Sequence, residues 1–329
     1  MINYTLKKPL FVCAFLLFMA FLPNIISELS LNLVITMLIY SLFAIAFNIL
    51  FGQAGLLSFG HAAFYGTGAF TSLLMYKHFG FSLFPGILAG GVTCIILGVV
   101  FGAFVTRAKG MTFALLSLAF NMLIFSAAEK WRGLTGGEDG ISCQRPDLFI
   151  PGLGSIDMFP TQNFYYFVLT IVTLCIAFCW YFTKTPLGRF NVGVRENDQR
   201  AAFVGFNVYM TKFIVYLVCA FFCGIAGALA STFSEFASTS MMSAAASGDI
   251  LITTFVGGKS VFLGPVLGAV FLTYLNDTLS SVTEHWVLIK GTIFIVLVMY
   301  APEGISGLLL ITKNRIYNRL KQKRTKQDG

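Results

Sequence analysis

The sequence predicts an all-α polytopic membrane protein on three observations. Only 11% of its 329 residues are charged, 57% are hydrophobic, and the apolar residues come in long uninterrupted runs. Soluble domains carry about 25% charged residues. A helix needs about 20 mostly apolar residues to cross the hydrocarbon layer, because each residue advances it by about 1.5 Å.

Taken in order, the runs are Leu10–Ile26, Leu31–Phe51, Gly55–Tyr76, Phe81–Val105, Met111–Ala128, Phe164–Phe182 and Phe213–Phe233. A small-residue stretch, Ala237–Gly257, follows, then Val261–Leu279 and Trp286–Tyr300. Cationic residues collect on the cytoplasmic side of membrane proteins. With Lys7 and Lys8 there, the loop Arg107–Lys109 and the loop 183–212, with Lys184, Arg189, Arg195, Arg200 and Lys212, fall on the same side. The loop 129–163 falls opposite, and its carboxylates Glu129, Glu138, Asp139, Asp147 and Asp157 outnumber Lys130, Arg132 and Arg145.

The tail 313–329 holds Lys313, Arg315, Arg319, Lys321, Lys323, Arg324 and Lys326, and belongs inside with the N-terminus. That requires an even number of crossings. A break at Gly257, Gly258 and Lys259 divides the stretch Asp249–Leu279 and brings the number to about ten. Making both Gly55–Tyr76 and Ala237–Gly257 broken or re-entrant preserves the parity. Residues 1–312 are thus a membrane domain and 313–329 a basic cytoplasmic tail. The formal net charge of +8 sits beside apolar runs and in that tail. It points to anionic lipid, not to nucleic acid.

Six of the seven cysteines lie within apolar runs. Cys175/Cys179 and Cys219/Cys223 have i,i+4 spacing, but no His or carboxylate stands at ligand distance in sequence, so they read as small packing residues and no metal site is expected. Gly86/Gly90, Gly98/Gly102 and Gly264/Gly268 repeat at spacing four, which permits close helix approach in lipid.

The densest polar cluster inside the membrane runs from Asn48 through Gln53, Gly55, Ser58 and Gly60 to His61. Its glycines weaken a continuous helix, and transporters use such breaks to handle polar substrates near the midplane. The bland reading is tight glycine packing with Ser58 and His61 satisfied by backbone carbonyls. Ser58 and His61, at i,i+3, would share a helix face, but a hydrolase needs a third orienting group and none is visible. Asn121 and the intramembrane carboxylate Asp249 join the candidate pathway. Glu235 reads as a membrane-end charge. Gly257-Gly258-Lys259-Ser260 imitates a phosphate-binding loop, yet Thr253 stands where that loop needs glycine, so no nucleotide site is expected on this chain. The loop 183–212 is long enough for a short amphipathic helix around Arg195–Gly205, introduced by Pro186 and Gly188.

The run Gly55-Leu-Leu-Ser-Phe-Gly-His-Ala-Ala-Phe-Tyr-Gly-Thr-Gly-Ala-Phe70 closely resembles the signature of branched-chain amino acid ABC transporter permeases of the LivM-like class. Further matches follow in order: Leu134–Gly140, Thr185–Arg189, Arg195–Asp198 with Gly205, Ala220–Leu229, Val256–Gly258, Gly264–Ala269 and Pro302–Gly304. The resemblance implies an ABC importer permease bundle in the bacterial inner membrane. It implies a homologous second permease, two cytoplasmic ATPases that use ATP and Mg, and a periplasmic substrate-binding protein. Arg195, Glu196, Asn197, Asp198, Ala201 and Gly205 would then form the helix that docks on an ATPase. The family usually reads Gly-Gly-x-Gly-Ser where this chain has Gly257-Gly258-Lys259-Ser260-Val261, so a glycine is missing and a lysine is present. The same family includes urea and short-amide permeases. From the residues alone, an ATPase-independent channel or secondary transporter is the alternative, although few buried carboxylates are present for proton coupling. His61, His78 and His285 lie far apart and supply no framework for a membrane enzyme.

Overall fold

A computed structural model describes residues 17–150, 152, 154–203, 205, 207–300 and 303–309. The start of the expected first span, Pro302 and the basic tail lie outside these residues. The described chain is mostly helical. Its helices are α1 (Glu28–Asn48), α2 (His61–Phe79), α3 (Leu83–Val105), α4 (Gly110–Lys130) and α5 (Thr161–Lys184). Two short helices follow, α6 (Pro186–Glu196) and α7 (Asp198–Phe203), then α8 (Val208–Ser234), α9 (Ala244–Gly257), α10 (Gly264–Val282) and α11 (Trp286–Tyr300).

Five helical stretches are long and apolar enough to cross a membrane: Glu28–Gln53, α3, α4, α5 and α8. Burial sorts them. In Glu28–Gln53 and α8, 67% of the apolar window is buried, against 33% in α3 and 28% in α4 and in α5. The first two are therefore the inner helices and the rest expose an apolar flank, as a bundle in lipid requires. Leu42, Phe43, Ile45 and Phe47 of α1 are fully buried, and Phe43 stacks on Tyr65 of α2 with centroids 4.5 Å apart.

Close backbone approach holds α2, α3 and α8 together. Gly68 lies against the backbone of Gly224, and Gly227 against the Tyr65 carbonyl. Gly90 of α3 completes the contact, since a Cβ there would stand 2.9 Å from the Gly68 oxygen and 3.1 Å from Ala228 Cβ. The Gly98/Gly102 stripe continues along α8 at Leu217, Ala220, Tyr216 and Phe213, and Gly264/Gly268 seats α10 on α9. Small residues replace the hydrophobic drive that lipid does not supply.

The run Gly55–Tyr76 is broken, one of the two interruptions the sequence allows: residues 54–60 are irregular and α2 begins at His61. Other expectations need correcting. Ser58 is in the irregular segment and shares no helix face with His61. The stretch Ala237–Gly257 is helical only from Ala244; before it come a strand residue pair, Phe236–Ala237, and a 3₁₀ turn, Thr239–Met242. Apolarity reports depth in the membrane, and it leaves open where the backbone is helical.

The loop between α4 and α5 carries three short strands, β1 (Ile141–Ser142), β2 (Leu148–Ile150) and β3 (Gly154–Ile156). β1 pairs antiparallel with β4 (Phe236–Ala237) beyond the end of α8. Arg145 clamps this cap. Its guanidinium donates to the Thr232, Phe233 and Met158 carbonyls at 3.3, 3.0 and 3.2 Å, and lies 3.9 Å from the Phe164 ring centroid. Burial pulls its pKa below the ordinary arginine value, and Glu235 opposes that pull. Arg145→Ala would strand the last carbonyls of α8, a loss of about 2–3 kcal/mol. The melting temperature in detergent should fall by roughly 5–10 °C. Lysine, with one compact ammonium, should recover little of it. An unchanged melting curve for Arg145→Ala would remove the clamp from the account.

Candidate translocation pathway and coupling helices

Past Asn48 the backbone of α1 widens into a π turn, Ile49–Gln53, and then leaves the helix. π turns expand the ladder by one residue and recur at functional sites. Gly52, at this turn, is a meeting point. The Asn48 side chain covers it, and a Cβ there would also lie 2.7 Å from the Lys259 carbonyl oxygen. The Arg195 guanidinium of α6 donates to the Gly52 carbonyl. Gly55 has φ 69° and passes under the Arg195 chain, where a Cβ would meet Arg195 Cγ at 2.8 Å. Both the left-handed backbone and the close approach require glycine here.

The irregular segment is held by serines from other helices. Phe59 N–H donates to Ser117 Oγ of α4 at 3.0 Å, and Ala62 N–H donates to Ser247 Oγ of α9 at 3.1 Å. Gly60 N–H donates to Ser58 Oγ at 3.1 Å. Gly60 is the residue before α2, and a Cβ there would meet the Ser117 carbonyl oxygen at 2.8 Å. The N-terminus of α2 thus lies inside the bundle, next to the first turn of α9, which Ser243 caps. Two helix N-termini meet in the interior, so partial positive charge from both is directed there.

Asn48, Ser58, His61 and Asn121 are buried around this junction. Asn121 Nδ2 donates to the Met242 carbonyl at 3.0 Å. Asn48 Oδ1, Gln53 Oε1, Asn121 Oδ1 and both His61 ring nitrogens have no protein partner. His61 meets Phe47 edge to face, with centroids 4.8 Å apart. A buried polar atom without a partner is rare and costly. The carbonyls expected to satisfy His61 are not engaged by it.

Asp249 is brought elsewhere. Ser247 reaches toward α2, whereas Asp249, two residues on, faces the opposite side of α9. Its Oδ1 accepts from Lys290 Nζ of α11 at 2.9 Å. Tyr40, Thr253, Asn276 and this pair line a cleft of about 490 Å³ bounded by α1, α9, α10 and α11. A groove of about 480 Å³ on α3, α5 and α8 is lined by apolar side chains alone, among them Leu88, Leu174, Phe178 and Phe221. It offers nothing to a charged solute. Sequence reasoning passed over Lys290 because the run Trp286–Tyr300 averages as apolar; a lone cation inside a span was the signal available.

The expected single helix around Arg195–Gly205 is two helices. Thr185 caps α6 and Pro186 fills its first turn. Arg195 and Glu196 end α6, and Asn197 breaks the chain and caps α7, its Oδ1 accepting from Arg200 N–H at 2.9 Å. Asp198 opens α7 and is tied to Lys212 of α8 at 2.7 Å and to Lys109 at 3.7 Å. Ala201 lies on α7 and Gly205, with φ 93°, beyond it. No residue of α7 is buried, and Phe203 is 91% exposed. The helix therefore presents an apolar tip while Asp198 at its base is tied to the bundle by two ion pairs.

The break at Gly257, Gly258 and Lys259 is present: α9 ends at Gly257 and α10 starts at Gly264. Gly257 packs on Gly264 and Gly268, and Gly258 on Glu303 and Gly304. Three separate glycine motifs meet there. Lys259 Nζ lies 5.2 Å from the Phe51 ring centroid and 5.3 Å from that of Phe255.

Comparison with known proteins follows this geometry. The family model described as "Branched-chain amino acid transport system / permease component" matches residues 29–299. The permease protein LivM of the high-affinity branched-chain amino acid transport systems of Salmonella typhimurium and of Escherichia coli is similar. Each is 26% identical over 322 residues, covering 92% of this chain and 75% of the relative. The ribose import permease protein RbsC of Haemophilus influenzae is 25% identical over 234 residues, 68% of each chain. No solved structure matches.

Proposed function

The chain belongs to the branched-chain amino acid transport permease family, and on that premise we propose that it is one of two homologous permeases of an ATP-driven importer for branched-chain or similar hydrophobic amino acids. The match over residues 29–299 carries this reading. Two cytoplasmic ABC ATPases would spend ATP and Mg, and a periplasmic binding protein would deliver substrate at the cap built on 129–163. This chain would bind no cofactor, perform no covalent chemistry, and cross the inner membrane about ten times with both termini inside. Charge supports that orientation. Arg107, Lys109, Lys184, Arg189, Arg195, Arg200, Lys212 and Lys259 gather at the end holding α6 and α7, and anionic lipid would meet the basic tail.

The contact that suggests a mechanism is Arg195 on Gly52. An ATPase gripping α7, with Phe203 as the apolar knob, would move α6. Arg195 transmits that motion to the π turn, and Gly52 passes it to Lys259 at the end of α9. α9 separates the buried junction of Asn48, Gln53, Gly55, Ser58, Gly60, His61 and Asn121 from the cleft at Asp249. Shifting it would open the pathway to alternate sides, a two-position element of the kind coupling requires.

The complex, reconstituted with its partners in liposomes, is expected to accumulate radiolabelled leucine only with ATP and the binding protein, and to take up neither ribose nor urea. Leucine uptake without the ATPases would favour a channel or secondary transporter. Uptake of urea in place of leucine would move the chain to the short-amide branch.

A further inference from the structure

We propose that the cleft between α1, α9, α10 and α11 is the station for the charged end of the transported amino acid, with Asp249 receiving the ammonium and Lys290 the carboxylate. This rests on the amino acid import reading above.

Lys290 is the one buried residue among those of α11, with its side chain 8% exposed. A charge within a span is expensive and marks function by default. Asp249 holds it, and the Asp249 side chain is 55% exposed toward the cleft. The pair is thus half committed: the cation is enclosed and the anion is open to a second cation. Asn276 Oδ1, also in the cleft, is buried without a partner and can accept a further hydrogen bond. Leu33, Leu272 and Trp286 give the wall an apolar part for an aliphatic side chain. The volume, about 490 Å³, lies within the range of small-molecule sites, about 300–1,000 Å³.

Charge accounting favours a zwitterion over any single ion. When a zwitterion enters, its ammonium meets Asp249 and its carboxylate meets Lys290. One charge pair is replaced by two, and nothing buried is left bare. A lone anion gains Lys290 only by competing with Asp249 for it, and a lone cation gains only the open side of Asp249, so neither matches the two pairs a zwitterion makes. Asp277 at the rim adds a second carboxylate, which weights the cleft toward ammonium at its entrance. With no solute bound, the pair closes on itself. Discrimination against inorganic ions follows from the same difference.

The test uses the assembled complex in liposomes. Asp249→Asn together with Lys290→Gln replaces the ion pair by a neutral hydrogen-bonded one of similar size. The double variant should still co-elute with its ATPases, with the KM for leucine raised at least about tenfold, one power of ten per 1.4 kcal/mol. A co-eluting double variant with the parent KM makes the pair purely structural and overturns the proposal. Should the double variant fail to assemble, Ser280→Cys at the cleft edge decides. Its labelling by a small thiol reagent should be slowed by saturating leucine and unaffected by 4-methylpentanoate or 3-methylbutylamine, which carry only one of the two charges. Equal protection by either analogue, no protection by leucine, or no labelling because another subunit covers the cleft would each refute it. A parent complex that does not transport leucine would instead refute the import reading itself.

Discussion

Gly227→Ala is expected to leave almost no folded, monodisperse protein. The added methyl would drive into the Tyr65 carbonyl group, with its carbon only 2.6 Å away. Overpacking in a core costs about 1–3 kcal/mol when side chains can move aside, but here the obstacle is backbone. α2 cannot retreat, because Gly68 of the same helix already touches Gly224 and Tyr65 is stacked on Phe43. α8 is held as well, because Gly90 and Cys94 of α3 are packed against it at Ala228 and Gly224. The penalty therefore exceeds that range and approaches the whole stability of a domain, about 5–15 kcal/mol. Gly291→Ala is the matched control. It sits within α11, where an added Cβ meets no atom within 4 Å, and there alanine gains about 0.5–1 kcal/mol in helix propensity. Size-exclusion profiles of detergent extracts should show a normal peak for Gly291→Ala and loss of the peak for Gly227→Ala. A normal peak for both would mean that the α2–α8 contact is looser than described.

Gly227 also shows what the sequence made legible. It lies in Ala220–Leu229, a motif readable by resemblance, in an apolar run that any hydropathy scan finds. Crossing helices, glycine stripes and the Gly257–Gly258 break are local properties, and local pattern reaches them. The pairs that make the candidate site are not local. Arg195 and the Gly52 carbonyl are 143 positions apart, and Asp249 and Lys290 are 41 apart. Composition could say that Asp249 needed a partner, but choosing it requires knowing that α9 and α11 are neighbours. The same reason explains Ser58. The glycines before His61 hinted at a break in the helix, but not at where it ends or what holds it, since the serines that receive its N–H groups, Ser117 and Ser247, come from two other helices.

Arg195→Ala should separate ATP hydrolysis from transport. The side chain is the direct bond between α6 and the π turn; its loss leaves the Gly52 carbonyl without this donor while α6 stays seated through buried Asn191 and Val194. A hydrogen bond to a charged group contributes about 1.5–3 kcal/mol, which corresponds to about 10–150-fold in any step that depends on it. The complex should therefore assemble and hydrolyse ATP, because Asp198 still anchors α7 to Lys212 and Lys109. Leucine uptake per ATP should fall at least about tenfold, the lower end of that range. Arg195→Lys retains the charge but not the planar fork, and a point charge on a flexible stem should restore only part of the ratio. Arg189→Ala removes an exposed cation from the same helix that makes no side-chain hydrogen bond or ion pair among the described residues, and should leave the ratio unchanged. If all three variants lost hydrolysis and uptake in parallel, α6 would be acting through charge at the ATPase surface. If Arg195→Ala kept the parent ratio, motion would have to reach α9 by a route that bypasses Gly52, and the Asp198 anchor on α8 would become the contact to break next.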